Sequence, residues 1–141
     1  MYKKILVTLD GSPTDRTIVG HVKQLARVLN SQVVLLHVAD GWAARRFGPD
    51  AVSPEITQDR EYLERMQEEF RSSGIGTETV LAYGEPADEI VKWVQKGGCD
   101  LIAMTTHGHR FLADLFLGTT VTRVRHRVTV PVLLLKAPPV A

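Results

Sequence analysis

Residues able to hold or act on a ligand gather in two stretches, Thr8-Leu9-Asp10-Gly11-Ser12 and the longer run from Thr105-Thr106-His107-Gly108 to Gly118-Thr119-Thr120. In the second, Gly108 lets the backbone turn left-handed or come close to a ligand, which a Cβ would block. Gly118 and Thr119 stand where a helical apolar period resumes. The unpaired N–H groups and positive dipole end of such a helix start form a natural phosphate seat, and the hydroxyls of Thr119 and Thr120 add donors. The same Gly-Thr-Thr also serves as a plain helix cap. His107 and His109 flank Gly108, but His-x-His needs further ligands and no Cys or second His cluster lies nearby. With Arg110 they suit phosphate neighbours or exposed loop positions better than a metal site.

Other chemistries lack their parts. There is no Gly-x-Gly-x-x-Gly after the first apolar run and no Gly-x4-Gly-Lys-Ser/Thr, which removes the dinucleotide and P-loop phosphate cradles. No Ser-His-Asp or Cys-His pair has a persuasive context. Cys99 is the single cysteine, so no intrachain disulfide forms, and a small buried hydrophobe is its expected role. Arg123, Arg125, His126 and Arg127 read as a solvated face or a complement to the negative end of a helix. Seventeen Lys and Arg against sixteen Asp and Glu leave a charge of +1, without the basic excess of a nucleic-acid binder. No apolar run reaches the ~20 residues of a membrane span, and the start lacks a secretory signal pattern. A cytoplasmic location is the expectation.

The elements that must position these residues alternate in period. Lys3 to Leu9, Gln32 to Ala39, Thr77 to Ala82, Asp100 to Thr105 and Val130 to Lys136 are short runs rich in Val, Ile and Leu, read as strands. Three are nearly continuous in apolar character, as strands buried on both faces are. The mixed Thr77 run suits an edge, and so does the last. Between them lie helical patterns. Ser12 is the expected N-cap with Pro13 at the first helical position, Ile18, Val22, Leu25, Ala26 and Leu29 form a face, and Asn30 stops it. Ser53-Pro54-Glu55 opens a second helix that buries Leu63, Met66 and Phe70. A third begins near Pro86 and buries Ile90, Val91 and Val94, and a fourth from Gly118-Thr119 carries Val121, Val124 and Val128. Asp40 to Ser53 is the one long loop. Strand and helix in turn, with right-handed crossovers, predict one α/β domain over residues 1–141: a doubly wound, five-stranded parallel sheet with helices on both faces. In such sheets ligands bind beyond the carboxyl ends of the strands, where strand order reverses.

The chain resembles the universal stress protein family over nearly its whole length. The resemblance rests on Lys-Lys-Ile-Leu-Val-Thr-Leu-Asp-Gly-Ser, Leu-Leu-His-Val, Gly-Glu-Pro-Ala-Asp-Glu-Ile, Asp-Leu-Ile-Ala-Met-Thr-Thr-His-Gly, Leu-Gly-Thr-Thr-Val and Pro-Val-Leu-Leu-Leu-Lys taken together. It implies a Rossmann-like fold of the adenine nucleotide alpha hydrolase type. Nucleotide-binding members carry Gly-x2-Gly-x9-Gly-Ser/Thr after the fourth strand, and the corresponding positions here are Thr105, Gly108, Gly118 and Thr119. The nine-residue spacing and the Gly-Thr pair are kept, whereas Thr105 replaces the first glycine and puts a Cβ and hydroxyl there.

By the same resemblance, Thr8 and Asp10 face the nucleotide, Val38 and Met104 contact adenine or ribose, and Gly108, Gly118 and Thr119 lie about the phosphates, where His109 and the Thr120 hydroxyl are further candidates by their own chemistry. A carboxylate at Asp10 can accept from ribose or purine donors, stand beside Mg²⁺ near phosphates, or serve as a turn residue before Gly11; no residue is assigned as a metal ligand. The implied cofactor is ATP, AMP or cyclic AMP, with or without Mg²⁺, and the implied assembly is a homodimer through the last strand. Phe111, Leu112, Leu115, Phe116 and Leu117 are apolar enough to cover a sheet edge or a partner. The expected function is an adenine-nucleotide-binding regulatory protein of the stress response. No base is evident to activate water, so activity beyond slow hydrolysis is not expected. A dimeric interaction protein without nucleotide, for which Thr105 speaks, and an enzyme that spends ATP are the other readings.

Overall fold

The computed structural model describes residues 1–39, 54–106 and 120–138. Their element order is β1 (Lys4–Leu9), α1 (Asp15–Leu29), β2 (Gln32–Ala39), α2 (Pro54–Ser72), β3 (Thr77–Tyr83), α3 (Pro86–Gly97), β4 (Leu101–Thr105), α4 (residues 120–127) and β5 (Val132–Leu135). The strands form one sheet in the order β3-β2-β1-β4-β5, and every pairing is parallel. The expected doubly wound fold is what the chain adopts, with the mixed third strand and the last strand at the two edges.

Alternation along each strand divides the core. Ile5, Val7, Leu9, Val33, Leu35 and Ala103 face α1 and α2, where Ile18, Val22, Leu63, Met66 and Phe70 complete one hydrophobic layer. Leu6, Val34, Leu36, Ile102 and Met104 face the opposite way, against Ile90 and Val94 of α3 and Val121 and Val124 of α4. The three central strands are therefore covered on both faces, which is why their sequences are nearly unbroken apolar runs. Cys99 lies in the second layer as a buried small hydrophobe, and burial pushes its thiol above the ordinary range.

Helix ends follow local chemistry, with one correction. Asn30 takes the left-handed conformation (φ 56°) and its N–H returns to Ala26 O, ending α1 where the sequence predicts. Glu85 caps α3 by accepting from Asp88 N at 2.8 Å, with Pro86 beginning the helix. Ser12, however, is not the cap of α1. Pro13 sits inside a turn closed by Asp15 N donating to Ser12 O at 3.0 Å, so the helix starts later, at Asp15. The Ser12 hydroxyl pairs with that of Thr14 at 2.6 Å, and the backbone there is held by carboxylates.

Candidate functional site at the strand switch

The sheet order places the reversal between β1 and β4: from β1 the chain moves outward through β2 to β3, then returns to the other side of β1 for β4 and β5. The carboxyl ends of these two strands therefore flank the crevice where open α/β sheets take ligands. Thr8 is partly buried near the end of β1, and Met104 is 2% exposed near the end of β4. Val38, partly buried near the end of β2, packs against the same layer as Met104. Period-two alternation sets Thr8 on that face too, since Leu6 lies there. Thr8, Val38 and Met104 are thus brought to one side of the sheet at its carboxyl end.

Thr105 is not brought to them. It is buried, and as the residue after Met104 it falls on the opposite face with Ala103, in register with Leu135. Thr120 begins the described part of α4 and is partly buried. Gly108, His109, Gly118 and Thr119, with His107 and the apolar run Phe111 to Leu117, lie outside the described residues, as does the loop Asp40 to Ser53.

Asp10 is exposed just past β1. Its Oδ1 accepts from Ser12 N at 2.9 Å, a local turn that fixes the side chain. Beneath it lies Asp15, 1% exposed. The Asp15 carboxylate accepts from Asp10 N at 3.2 Å on Oδ1, and from Gly11 N at 2.9 Å and the Tyr62 hydroxyl at 2.6 Å on Oδ2. Burial, with the charge of Asp10 adding to it, pushes Asp15 up to about 7, against the three hydrogen bonds that favour its charged form. Burial and the bond to Asp15 push the Tyr62 phenol upward, so it stays a neutral donor.

A second polar link lies on the same side. His37 Nδ1 is 2.8 Å from Leu9 O, and because a carbonyl only accepts, Nδ1 carries the proton. The other nitrogen, Nε2, is 3.3 Å from Asp59 Oδ2. Asp59 and Tyr62, one helical turn apart on α2, are thus both linked to the end of β1 and the turn after it, Asp59 through His37 and Tyr62 through Asp15. Gly11, Gln58, Asp59, Glu61, Tyr62 and Arg65 line a cleft of about 280 Å³ there. Among the described residues no group of three His, Cys, Asp or Glu side chains could hold a metal ion, and no helix is long and apolar enough to cross a membrane.

Neither Asp15 nor Tyr62 is among the residues that the sequence singles out for the site. Both signals were weak: an acidic residue in a first turn is common, and a tyrosine beside the apolar position Leu63 looks like ordinary packing.

Strand order and crevice define a doubly wound α/β protein with its candidate site beyond β1 and β4. The chain belongs to the universal stress protein family, whose model matches residues 1–136. It is 30% identical to the universal stress protein MJ0531 of Methanocaldococcus jannaschii, over 98% of this chain and 84% of that one. It is 27% identical to MJ0577 of the same organism over 96% of each. The solved structure of MJ0577 superposes with a TM-score of 0.83 at 29% identity, covering 99% of both chains. A universal stress protein crystallised in complex with cAMP matches in fold with a TM-score of 0.74 at 20% identity, over 97% of this chain and 98% of that one. Another, from Archaeoglobus fulgidus in complex with dAMP, matches with a TM-score of 0.69 at 20% identity, over 94% and 97%.

Proposed function

We propose that this chain is an adenine-nucleotide-binding regulatory protein of the stress response, acting in the cytoplasm. The observation that carries the reading is the convergence of Thr8, Val38 and Met104 on one face of the sheet, at carboxyl ends beside the β1/β4 reversal, with Asp10 immediately beyond. Half-apolar strand ends of this kind suit a purine and ribose, and Asp10 offers an acceptor for their hydroxyl or amino donors. The phosphates belong to Gly108, His109, Gly118, Thr119 and Thr120, by the spacing of the sequence motif and the helix start it precedes. Thr105, turned to the opposite face, does not oppose Met104 across the site, which favours binding over the nucleotide-free reading. Relatives in fold solved with cAMP and with dAMP support the adenine class.

ATP, alone or with Mg²⁺, is the proposed physiological ligand, and its binding acts by shifting a conformational population toward the state it prefers. A homodimer through β5 completes the reading. Among the described residues that strand is the last of the sheet, with Val132, Leu133, Leu134 and Leu135 all partly exposed, and a sheet edge is a template for a second copy.

Calorimetric titration of nucleotide-stripped protein with ATP–Mg²⁺, cAMP and dAMP tests it, repeated on Asp10→Ala and Gly118→Ala. Micromolar binding that weakens in both variants is the expected result. No heat and no thermal shift at millimolar nucleotide would remove the assignment and leave the dimeric, nucleotide-free protein in its place.

A further inference from the structure

Asp15 is a buried carboxylate for which the nucleotide reading has no use. It touches no expected ligand group, yet it accepts both backbone N–H groups of the segment that presents Asp10, at 3.2 Å from Asp10 N and 2.9 Å from Gly11 N. Gly11 has φ 81°, so this turn has a left-handed step whose placement depends on what anchors it. The third donor, the Tyr62 hydroxyl, comes from α2 at 2.6 Å. We propose that Asp15 is a positioning residue of the nucleotide site: its ionised carboxylate fixes the Asp10–Gly11 turn, so that affinity for an adenine nucleotide follows the protonation of Asp15. The inference rests on the nucleotide reading above.

The geometry explains the direction. An ionised carboxylate accepts three hydrogen bonds at full strength. A protonated one has turned one oxygen into a donor. The Tyr62 hydroxyl, which can also accept, rotates to receive that proton. The Gly11 N–H, sharing Oδ2, is left with a weaker acceptor, and the turn under Asp10 loosens. Burial brings this change to about pH 7, inside the range where a cell can move it. The groups facing Asp15 are Asp10 from the turn, Tyr62 from α2, and Arg16 on its own helix, which is committed to Glu69 at 3.0 Å. Asp59, Glu61 and Arg65 line the cleft beside Gly11, and His37 of β2 acts on the same strand end through Leu9 O.

The test titrates full-length protein with cAMP from pH 5.5 to 8.5, because neither its phosphodiester nor its purine changes charge near neutrality. Wild type is expected to lose about fivefold in affinity as pH falls through the Asp15 transition, the worth of roughly one hydrogen bond. Asp15→Asn is expected to bind weakly with no such step. Tyr62→Phe removes a donor that favours the ionised form, so its step should move to higher pH, and it serves where the Asn variant does not fold. Imidazole groups titrate in the same window in any protein, so the difference between variants is the reading. An unchanged pH profile in Asp15→Asn, or an unmoved step in Tyr62→Phe, overturns the positioning role and leaves the nucleotide site standing. Absence of cAMP binding by wild type at every pH overturns the nucleotide reading and this inference with it.

Discussion

The hydroxyl of Tyr62 donates to Oδ2 of Asp15 at 2.6 Å, joining α2 to the first turn of α1 across 47 residues of chain. The two residues pack a phenol and a carboxylate under the segment that carries Asp10. The contact ties α2, within the same layer as α1, to the ligand-facing end of β1, so the stability of the fold and the shape of the site share one hydrogen-bonded cluster.

That sharing gives a first prediction. The Asp15 carboxyl is raised by burial, and then by Asp10, from 3.8 to about 7. A group that holds its proton more tightly in the folded chain stabilises that chain fully below its unfolded value, and the contribution is lost as pH rises through the folded value. Between about pH 4 and pH 7 wild type is therefore expected to lose stability relative to Asp15→Asn, on the order of 4 kcal/mol. Urea midpoints of both proteins at pH 5 and pH 8 measure it, and about 3 kcal/mol of the change should fall between those two values. A wild-type-minus-variant difference that stays constant with pH contradicts the assignment.

Asp100 acts at the other end of the sheet. Its carboxylate accepts from Lys3 N at 2.9 Å and Lys4 N at 3.1 Å. Burial is the largest single influence and would raise its pKa, but these N–H groups, with its own N–H and the charged amino terminus, together hold it below the ordinary range. Asp100→Ala should cost about 1–2 kcal/mol, read from chemical denaturation at neutral pH. Amide exchange should quicken first at Lys3 and Lys4.

Phe70 is fully buried between α2 and the first hydrophobic layer. Truncation to Ala leaves a cavity that rigid strands cannot fill, at a cost of about 3–5 kcal/mol. A cost under 1 kcal/mol in the same assay would mean that the layer collapses freely around it.

Glu85 serves two elements at once, accepting from Asp88 N at 2.8 Å and from Arg123 Nη1 of α4 at 2.9 Å. Glu85→Ala removes a cap and an exposed ion pair, for a loss of about 1 kcal/mol. Glu85→Gln keeps the cap and should recover most of it. If Gln restores nothing, the ion pair rather than the cap carries the effect.

Much of the fold could be read along the chain because its signals are local. The apolar runs at Lys4–Leu9, Gln32–Ala39 and Leu101–Thr105 bury on both faces, and Asn30 and Pro86 mark helix ends by their own backbone preferences. The start of α1 was misplaced because Ser12-Pro13 fits a cap and a turn equally well. The site was legible only in part. Thr8, Val38 and Met104 share one face at the carboxyl end of the sheet. The separation of Thr105 from Met104 depends on strand alternation right at the end of β4, where motif spacing says nothing about faces. The Asp15–Tyr62 contact depends on how α2 is placed against β1, which no local pattern encodes.

The position of β1 in the middle of the sheet also bears on how the chain is made. β1, α1 and β2 can pair as soon as residue 39 has emerged, but the other edge of β1 waits for β4, about sixty residues further along. At the pace of a ribosome that is several seconds. For that interval the nascent chain presents an apolar strand edge, Ile5 to Leu9, with nothing beside it. Such an edge pairs with whatever strand is near, so the central strand of the finished sheet is its most exposed hazard during synthesis.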